Sequence, residues 1–329
     1  MAILVTGGAG YIGSHTAKAL AAAGLDPIVF DNLSTGHREF CRWGPLVEAD
    51  LGDRDALRAV LKKYPIDGVL HFAAHALVGE SMTNPGKYFR NNSVNSLNLL
   101  DAMVEAGVRR IVFSSTCATY GEPQRIPIDE AHPQRPVNPY GESKLFTERA
   151  LDWYSRAYGL RWVALRYFNA AGADADGEIG EDHDPETHLI PLVLAALVGR
   201  RKAVQIYGTD YPTVDGTAVR DYIHVTDLAD AHLAALTYAE GHEGGVALNL
   251  GTGEGLSVRE AIASAERVTG RRAPVEIAGR RAGDPPVLVA DPSRARRALA
   301  WTPRCSDPDT ILRTAWNWHS KRALEPARP

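Results

Sequence analysis

Cysteine is scarce in this 329-residue chain: Cys41, Cys117 and Cys305 are odd in number, far apart, and form no CxxC pair. That excludes a disulfide framework and a zinc cluster built on cysteine, and it fits a reduced, cytoplasmic setting. An excess of one charge is also missing. Thirty-six Lys and Arg against 40 Asp and Glu leave a net charge of −4, which offers neither a basic face for nucleic acid nor an acidic tail. Long hydrophobic runs are absent, since the longest membrane-like stretch, residues 190–199, is about half of what a spanning helix needs. The opening MAILVTGGAG has no basic stretch and no apolar core, so no signal peptide is expected. Repeats and low-complexity segments do not occur. What remains is an ordinary globular composition, 45% hydrophobic and 23% charged. At ~150 residues per domain the length suggests about two domains.

Short apolar runs and amphipathic stretches alternate through the first half. Residues 3–5, 27–30, 46–49, 68–72, 110–113 and 161–165 read as strands. Residues 12–23, 53–63, 88–105 and 140–158 read as helices, the last preceded by a proline-rich loop over 123–139. Continuous apolar strands alternating with helices predict a parallel sheet covered on both faces, an α/β doubly wound, Rossmann-like domain. Residues 172–186 are acidic, glycine-rich and aperiodic, which predicts a loop or boundary. Beyond them, strands at 203–206, 246–250 and 275–277 and helices at 226–240 and 257–268 predict a smaller mixed α/β unit. The capping box Ser257-Val258-Arg259-Glu260 marks the start of the second of those helices. The expected division is 1–170 and 171–329, with part of 220–250 rejoining the first sheet.

Thr6-Gly7-Gly8-Ala9-Gly10-Tyr11-Ile12-Gly13 follows the first strand and opens a helix, satisfying G-x-G-x-x-G from Gly8 and G-x-x-G-x-x-G from Gly7. Glycines there permit a tight turn and let backbone N–H groups reach a pyrophosphate at the helix N-terminus, where the dipole favours an anion. Asp31, 18 residues past Gly13, ends the second strand. A carboxylate at that point accepts hydrogen bonds from a ribose diol and repels a 2′-phosphate, selecting NAD over NADP. The alternative for Asp31 is a turn cap before Asn32. Asp50-Leu51 would meet adenine, the carboxylate at its amino group and Leu51 on its ring; equally, Asp50 would cap the helix that follows.

Tyr140-Gly141-Glu142-Ser143-Lys144 places a phenol and an ammonium at i and i+4, on one helix face. A tyrosine with its ordinary pKa of ~10 is a poor base at neutral pH. A neighbouring Lys⁺ and an oxidised nicotinamide would both lower that value. An exposed Tyr/Lys pair is the default for such a spacing, but Ser114-Ser115-Thr116 ends the fifth strand, and ligands of these sheets sit beyond the carboxyl ends of the strands. Thr116 would then bind the same substrate hydroxyl that Tyr140 deprotonates.

The segments TGGAGYIGSH, DNLSTG, LHFAA, SSTCATYG, YGESK, RYFNAAGA and VRDYIHVTDLADAH, in this order and spacing, resemble the extended short-chain dehydrogenase/reductase family, and within it the UDP-sugar 4-epimerases. The resemblance runs from Met1 to about His319. It implies tightly held NAD and interconversion of UDP-glucose and UDP-galactose by reversible hydride transfer at sugar C4. Tyr140 would take the proton of the 4-hydroxyl, Lys144 would tune Tyr140 and bind the nicotinamide ribose, and Thr116 stands where the family has Ser or Thr. Cofactor contacts are implied for Gly7, Gly10, Tyr11, Ile12, Gly13, Asn32, Phe72, Ala73, Ala74, Asn91, Ser114 and Tyr167. On the substrate side Asn169 matches a diphosphate contact, and His188 with Leu189 matches a segment on uracil and phosphate. Many members carry Asn-Asn-Leu where this chain has Thr187-His188-Leu189. Tyr207 is a further substrate contact, Arg220 and Arg281 match two arginines on the diphosphate, and Asp284 would meet the uridine ribose. A guanidinium fork suits phosphate oxygens, although either arginine alone would read as a surface residue.

Other readings share part of the pattern. UDP-xylose/UDP-arabinose 4-epimerases carry the same motifs, and Leu288 aligns with the position that gates N-acetylated sugars. A 4,6-dehydratase needs Asp-Glu directly after the threonine, where Cys117-Ala118 stand. A non-catalytic NAD sensor is opposed by the intact Thr116, Tyr140 and Lys144. The family pairs the helices containing Asn95 and Phe146 in a homodimeric contact. His71 and His75 fall at a strand end without a third ligand, so no metal is expected. Cys117 reads as a packing residue, and Arg294, Arg296 and Arg297 as a solvated helix face.

Overall fold

The computed structural model describes residues 1–281 and 283–323; the remaining seven positions of the expected second domain lie outside the described residues. Seven strands form one parallel sheet: β1 (Ala2–Thr6), β2 (Asp26–Asp31), β3 (Leu46–Glu48), β4 (Ile66–His71), β5 (Arg110–Thr116), β6 (Arg161–Tyr167) and Gly245–Leu250. Between β6 and that last strand come β7 (Asn169–Ala171), β8 (Val204–Tyr207), β9 (Val219–Arg220) and β10 (Tyr222–His224), so Gly245–Leu250 is β11. The sheet order is β11-β6-β5-β4-β1-β2-β3. Successive strands step outward from β1 in both directions, and the reversal lies between β1 and β4. In such sheets the crevice beyond the carboxyl ends at that reversal is the ligand site.

Every residue of β1 is buried, because helices cover both faces and the alternation of side chains serves two cores. Leu4 joins Phe30, Val69 and Ile111 in one layer, with Leu57 of α2 (Arg54–Lys63), Leu99 and Met103 of α5 (Asn95–Ala106) and Leu151 of α6 (Pro139–Tyr158). Ile3 and Val5 join Leu70, Val112, Leu165 and Leu248 in the other, under Leu20 of α1 (Tyr11–Ala22) and Leu228, Ala235 and Leu236 of α8 (Val225–Gly241). β11 pairs in parallel with β6 at the edge of this sheet, and α8 packs against one of its faces.

A third core carries the later chain, built from α7 (Leu189–Leu197), α9 (Val258–Thr269) and α11 (Pro308–Ala323) over β8. Its short strands β12 (Leu256–Ser257), β13 (Val275–Ala278) and β14 (Val287–Leu288) make the sets β12-β9-β14 and β13-β8. The remaining helices are α3 (Val78–Thr83), α4 (Pro85–Tyr88) and α10 (Ser293–Leu299), whose Arg294, Arg296 and Arg297 lie at its surface.

One expected helix differs. Residues 88–105 are not a single α-helix: Phe89–Val94 winds as a π-turn between α4 and α5. Asn92 explains the widening. Its amide brackets His75, accepting from the His75 N–H at 2.9 Å and donating to the His75 carbonyl at 3.0 Å, and it also donates to Ser143 Oγ. Such turns commonly mark functional walls, and the adjacent Asn91 lines the central cavity.

Candidate active site

A single cavity of about 1100 Å³ opens at the carboxyl ends of β1, β4 and β5 and runs into the later unit. Every cofactor, catalytic and substrate residue expected from the sequence lines it. One end is the glycine turn. Gly7 has φ +73°, and a Cβ on Gly13 would lie 2.2 Å from the Gly7 carbonyl oxygen, so only glycine permits this crossing of turn and helix. Helix α1 starts from Gly10 with no side-chain cap, which leaves its first amides to an anionic ligand.

Asp31 makes the turn contacts considered for it and lines the cavity. It accepts from Ala9 N–H at 2.9 Å and Leu33 N–H at 2.8 Å while facing the cavity, and burial pushes its pKa up against those hydrogen bonds. Asp50 is not the cap of the next helix. Asp53 is, accepting from the N–H groups of Asp55 and Ala56, which leaves Asp50 bound to Asn32 and the Gly52 amide at the cavity wall. These residues fit a dinucleotide: an uncapped helix start, a turn that a Cβ would obstruct, and a carboxylate at the end of β2.

The central group comes from two elements forced together. Asn138 caps α6 by accepting from Gly141 N–H at 2.8 Å, with Pro139 in the first turn, so the helix begins just before Tyr140 and sets Lys144 one turn on. A Cβ on Gly141 would stand 2.5 Å from the Ala118 carbonyl; glycine therefore lets the helix start close onto the turn that follows Thr116. Lys144, 3% exposed, donates from Nζ to the Ser114 carbonyl at 2.8 Å and lies 5.9 Å from the Tyr140 ring centre. Burial pulls the Lys144 pKa down to about 7, with the Glu148 carboxylate opposing. Burial likewise drives the Tyr140 phenol above its ordinary value, and the Thr116 hydroxyl pulls the other way. Burial thus acts on both groups, against the charged phenolate of Tyr140 and against the ammonium of Lys144.

The far end carries the cations. Arg220 pairs with Asp284 and donates to the Val219 carbonyl, so Asp284 neutralises this guanidinium at the wall where a ribose contact was expected. The Arg281 guanidinium lies 3.9 Å from the centre of the Tyr207 ring, a cation–π platform that orients it. Asn169 opens β7, tied through its N–H to the Asp221 carbonyl. His188 is the N-cap residue of α7, with Leu189 the first residue of that helix. Burial works against protonation of His188, but Glu181 and then Glu186 raise its pKa to about 10. Sequence reasoning missed Glu181, His183 and Glu186 because they sit in the stretch read as an acidic loop, although E-x-H-x-x-E-x-H was the signal. His71 is no ligand; it is buried between Thr6 Oγ1 at 2.7 Å and Ser96 Oγ at 2.8 Å.

Comparison with known proteins gives a consistent picture. Residues 3–251 match the model of the NAD dependent epimerase/dehydratase family. A UDP-glucose 4-epimerase of Lacticaseibacillus casei is 53% identical over 320 residues, 97% of both chains. One from Rhizobium meliloti (strain 1021) is 54% identical over 97% of both. Among solved structures, UDP-glucose 4-epimerase from Brucella ovis in complex with NAD superposes with a TM-score of 0.94 at 55% identity, over 96% of this chain and 97% of that one. The UDP-glucose-4-epimerase from Stenotrophomonas maltophila, with bound NAD and formylated UDP-arabinopyranose, gives 0.95 at 41% identity over 98% and 99%.

Proposed function

The chain belongs to the NAD dependent epimerase/dehydratase family, and we propose that it interconverts UDP-glucose and UDP-galactose as an NAD-dependent 4-epimerase, with Tyr140 as its proton carrier. The observation that carries the reading is the convergence of Thr116, Tyr140 and Lys144 in one cavity between the glycine turn and the paired arginines.

NAD, when bound, supplies a hydride acceptor and, in its oxidised form, a positive charge within the cavity. Gly7, Gly10, Tyr11, Ile12 and Gly13 would hold its pyrophosphate, Asp31 and Asn32 the adenosine ribose, Asp50 and Leu51 the adenine. Phe72, Ala73, Ala74, Asn91, Ser114 and Tyr167 complete its walls. Tyr140 takes the proton of the sugar 4-hydroxyl and later returns it to the 4-keto oxygen, while Thr116 fixes that oxygen. Proton transfer of this kind is worth ~10²–10⁴ in rate. Arg220 and Arg281 grip the diphosphate with Asn169 and His188, leaving the sugar free to turn about its phosphate linkage. Cys117 and Ala118 carry no group able to eliminate water, which separates this site from a dehydratase. Residues 1–170, joined by α8 and β11, form the cofactor domain, and most of the rest the substrate domain.

We also infer a cytoplasmic homodimer. Cys41, Cys117 and Cys305 are all free thiols, and among the described residues no helix is long and apolar enough to cross a membrane. Phe89 and Val94 of the π-turn and Phe146 and Trp153 of α6 expose 42–66% of their surface, apolar groups suited to a second copy.

The test is epimerisation with no NAD added, offering UDP-galactose, UDP-arabinose and UDP-N-acetylgalactosamine in parallel. Turnover of UDP-galactose establishes both reaction and retained cofactor. Turnover of UDP-arabinose alone moves the protein to the pentose epimerases; turnover of UDP-N-acetylgalactosamine reports on Leu288, which lines the cavity. No turnover after NAD is supplied leaves the sensor reading or a different sugar.

A further inference from the structure

The loop preceding α7 gathers four metal-ligating side chains. Glu181, His183, Glu186 and His188 each offer one donor atom, and these atoms all lie within 4.8 Å of one another. His188 Nδ1 is 2.8 Å from Glu181 Oε1 and 3.0 Å from Glu186 Oε1. His183 Nδ1 is 3.2 Å from Glu181 Oε1 and 3.8 Å from Glu186 Oε2. A tetrahedron with metal–ligand bonds of ~2.1 Å has edges of about 3.4 Å, inside that range.

A neighbouring cluster shows what satisfied carboxylates look like in the same loop. Asp174, Asp176 and Glu178 converge on Lys18 Nζ at 2.8, 3.2 and 2.7 Å, so a cation is already built in. Among the described residues no lysine or arginine pairs with Glu181 or Glu186; their partners are the two imidazoles. His183 Nδ1 is buried without a hydrogen bond, and the single Nδ1 of His188 faces two carboxylates. Glu181 is 4% exposed, so water does not relieve its charge. The ligands are also held from behind. Thr187 and His188 N–H groups donate to Glu186 Oε1 at 2.7 and 2.8 Å, and Trp318 Nε1 donates to the Glu181 carbonyl at 3.0 Å. Outer contacts of this kind are what orient the ligands of a metal site.

We propose that Glu181, His183, Glu186 and His188 bind one divalent transition-metal ion, with Zn²⁺ the best match to two imidazoles and two carboxylates. The ion binds the lone pair of each deprotonated Nδ1 together with the two carboxylates. It cross-links the loop to His188, the residue that opens α7 at the diphosphate end of the cavity. The proposal stands apart from the choice of sugar, and its readout is metal binding rather than turnover.

Untagged protein, stripped with EDTA and still holding its NAD, is titrated with Zn²⁺ against a chromogenic chelator. The expected result is one Zn²⁺ per chain with sub-micromolar affinity, weakened at least ~10-fold by His183→Ala and by Glu186→Gln. Zn²⁺ also raises Tm in the parent and not in His183→Ala. Loading Co²⁺ into the parent reads the geometry without any variant: the intense visible bands of a four-coordinate ion support the site. Failure to compete with the chelator, the weak bands of a six-coordinate ion, or binding that survives in both variants would each overturn the proposal, the last by placing the ion on other surface histidines.

Discussion

Arg166→Met should be among the most damaging single changes that leave every expected cavity contact in place. Arg166 and Glu148 form a buried ion pair, with side chains 6% and 5% exposed. Arg166 donates from Nε to Glu148 Oε1 at 2.9 Å and from Nη1 to Tyr120 Oη at 2.9 Å, and its Nη2 meets Glu148 Oε2. Removing the guanidinium leaves the Glu148 carboxylate with only Ser115 Oγ and Gln134 Nε2 as donors. Breaking one side of such a pair costs ~3–5 kcal/mol, because an uncompensated charge stays buried. With a urea m-value of roughly 3 kcal/mol/M, the unfolding midpoint falls by about 1–1.7 M. The site responds as well. Ser115 stands between Ser114, whose carbonyl holds Lys144, and Thr116, so a shift of β5 by a fraction of an ångström moves two catalytic groups together. We expect kcat to fall ~10–100-fold. Glu148→Leu in the same chain should recover much of the lost stability, giving a coupling of at least ~2 kcal/mol in a double-mutant cycle. A midpoint within ~0.3 M of the parent, or additive single effects, would refute the assignment of this pair as the clamp beneath the site.

Tyr140→Phe should lose at least ~100-fold in turnover while the protein still purifies with NAD; near-normal turnover would remove Tyr140 from the proton path. Asp31→Ala should loosen NAD and reduce discrimination against NADP, seen as cofactor lost on gel filtration and as relative rates with added NADP; unchanged retention would end the ribose assignment. Acid should destabilise the fold before the carboxylates titrate. Burial lowers the pKa of His15 to about 4, His71 to about 3 and His232 to about 4. The unfolded chain therefore binds more protons between pH 6.5 and 4, and stability falls as pH drops through that window. Three such protons give a slope approaching ~4 kcal/mol per pH unit near pH 5, checked by urea unfolding from pH 7 to 5; a flat profile would mean these histidines are not buried neutral.

The alternation of apolar runs with helices, read with the glycine turn, was sufficient for the parallel sheet and its two covers. The reason is that strand burial and the 3.6-residue helix period are local properties written into side-chain type. The phenol–ammonium spacing and the Ser114–Thr116 strand end were equally legible, since both depend on short separations along the chain. What sequence could not decide were properties set by contacts across long separations. Whether Asp50 or Asp53 capped the helix depended on which oxygen the chain turned inward. The widening of the helix at Phe89–Val94 came from Asn92 reaching His75. The sign of the Tyr140 shift was set by burial among residues drawn from four elements, a desolvation that no spacing encodes. The Arg166–Glu148 clamp joins β6 to α6, and the four donors at 181–188 meet only because their loop folds back on itself. Periodicity and short motifs are fixed by neighbours in the chain; charge, protonation and ligand geometry are fixed by neighbours in space, and those the tertiary structure alone supplies.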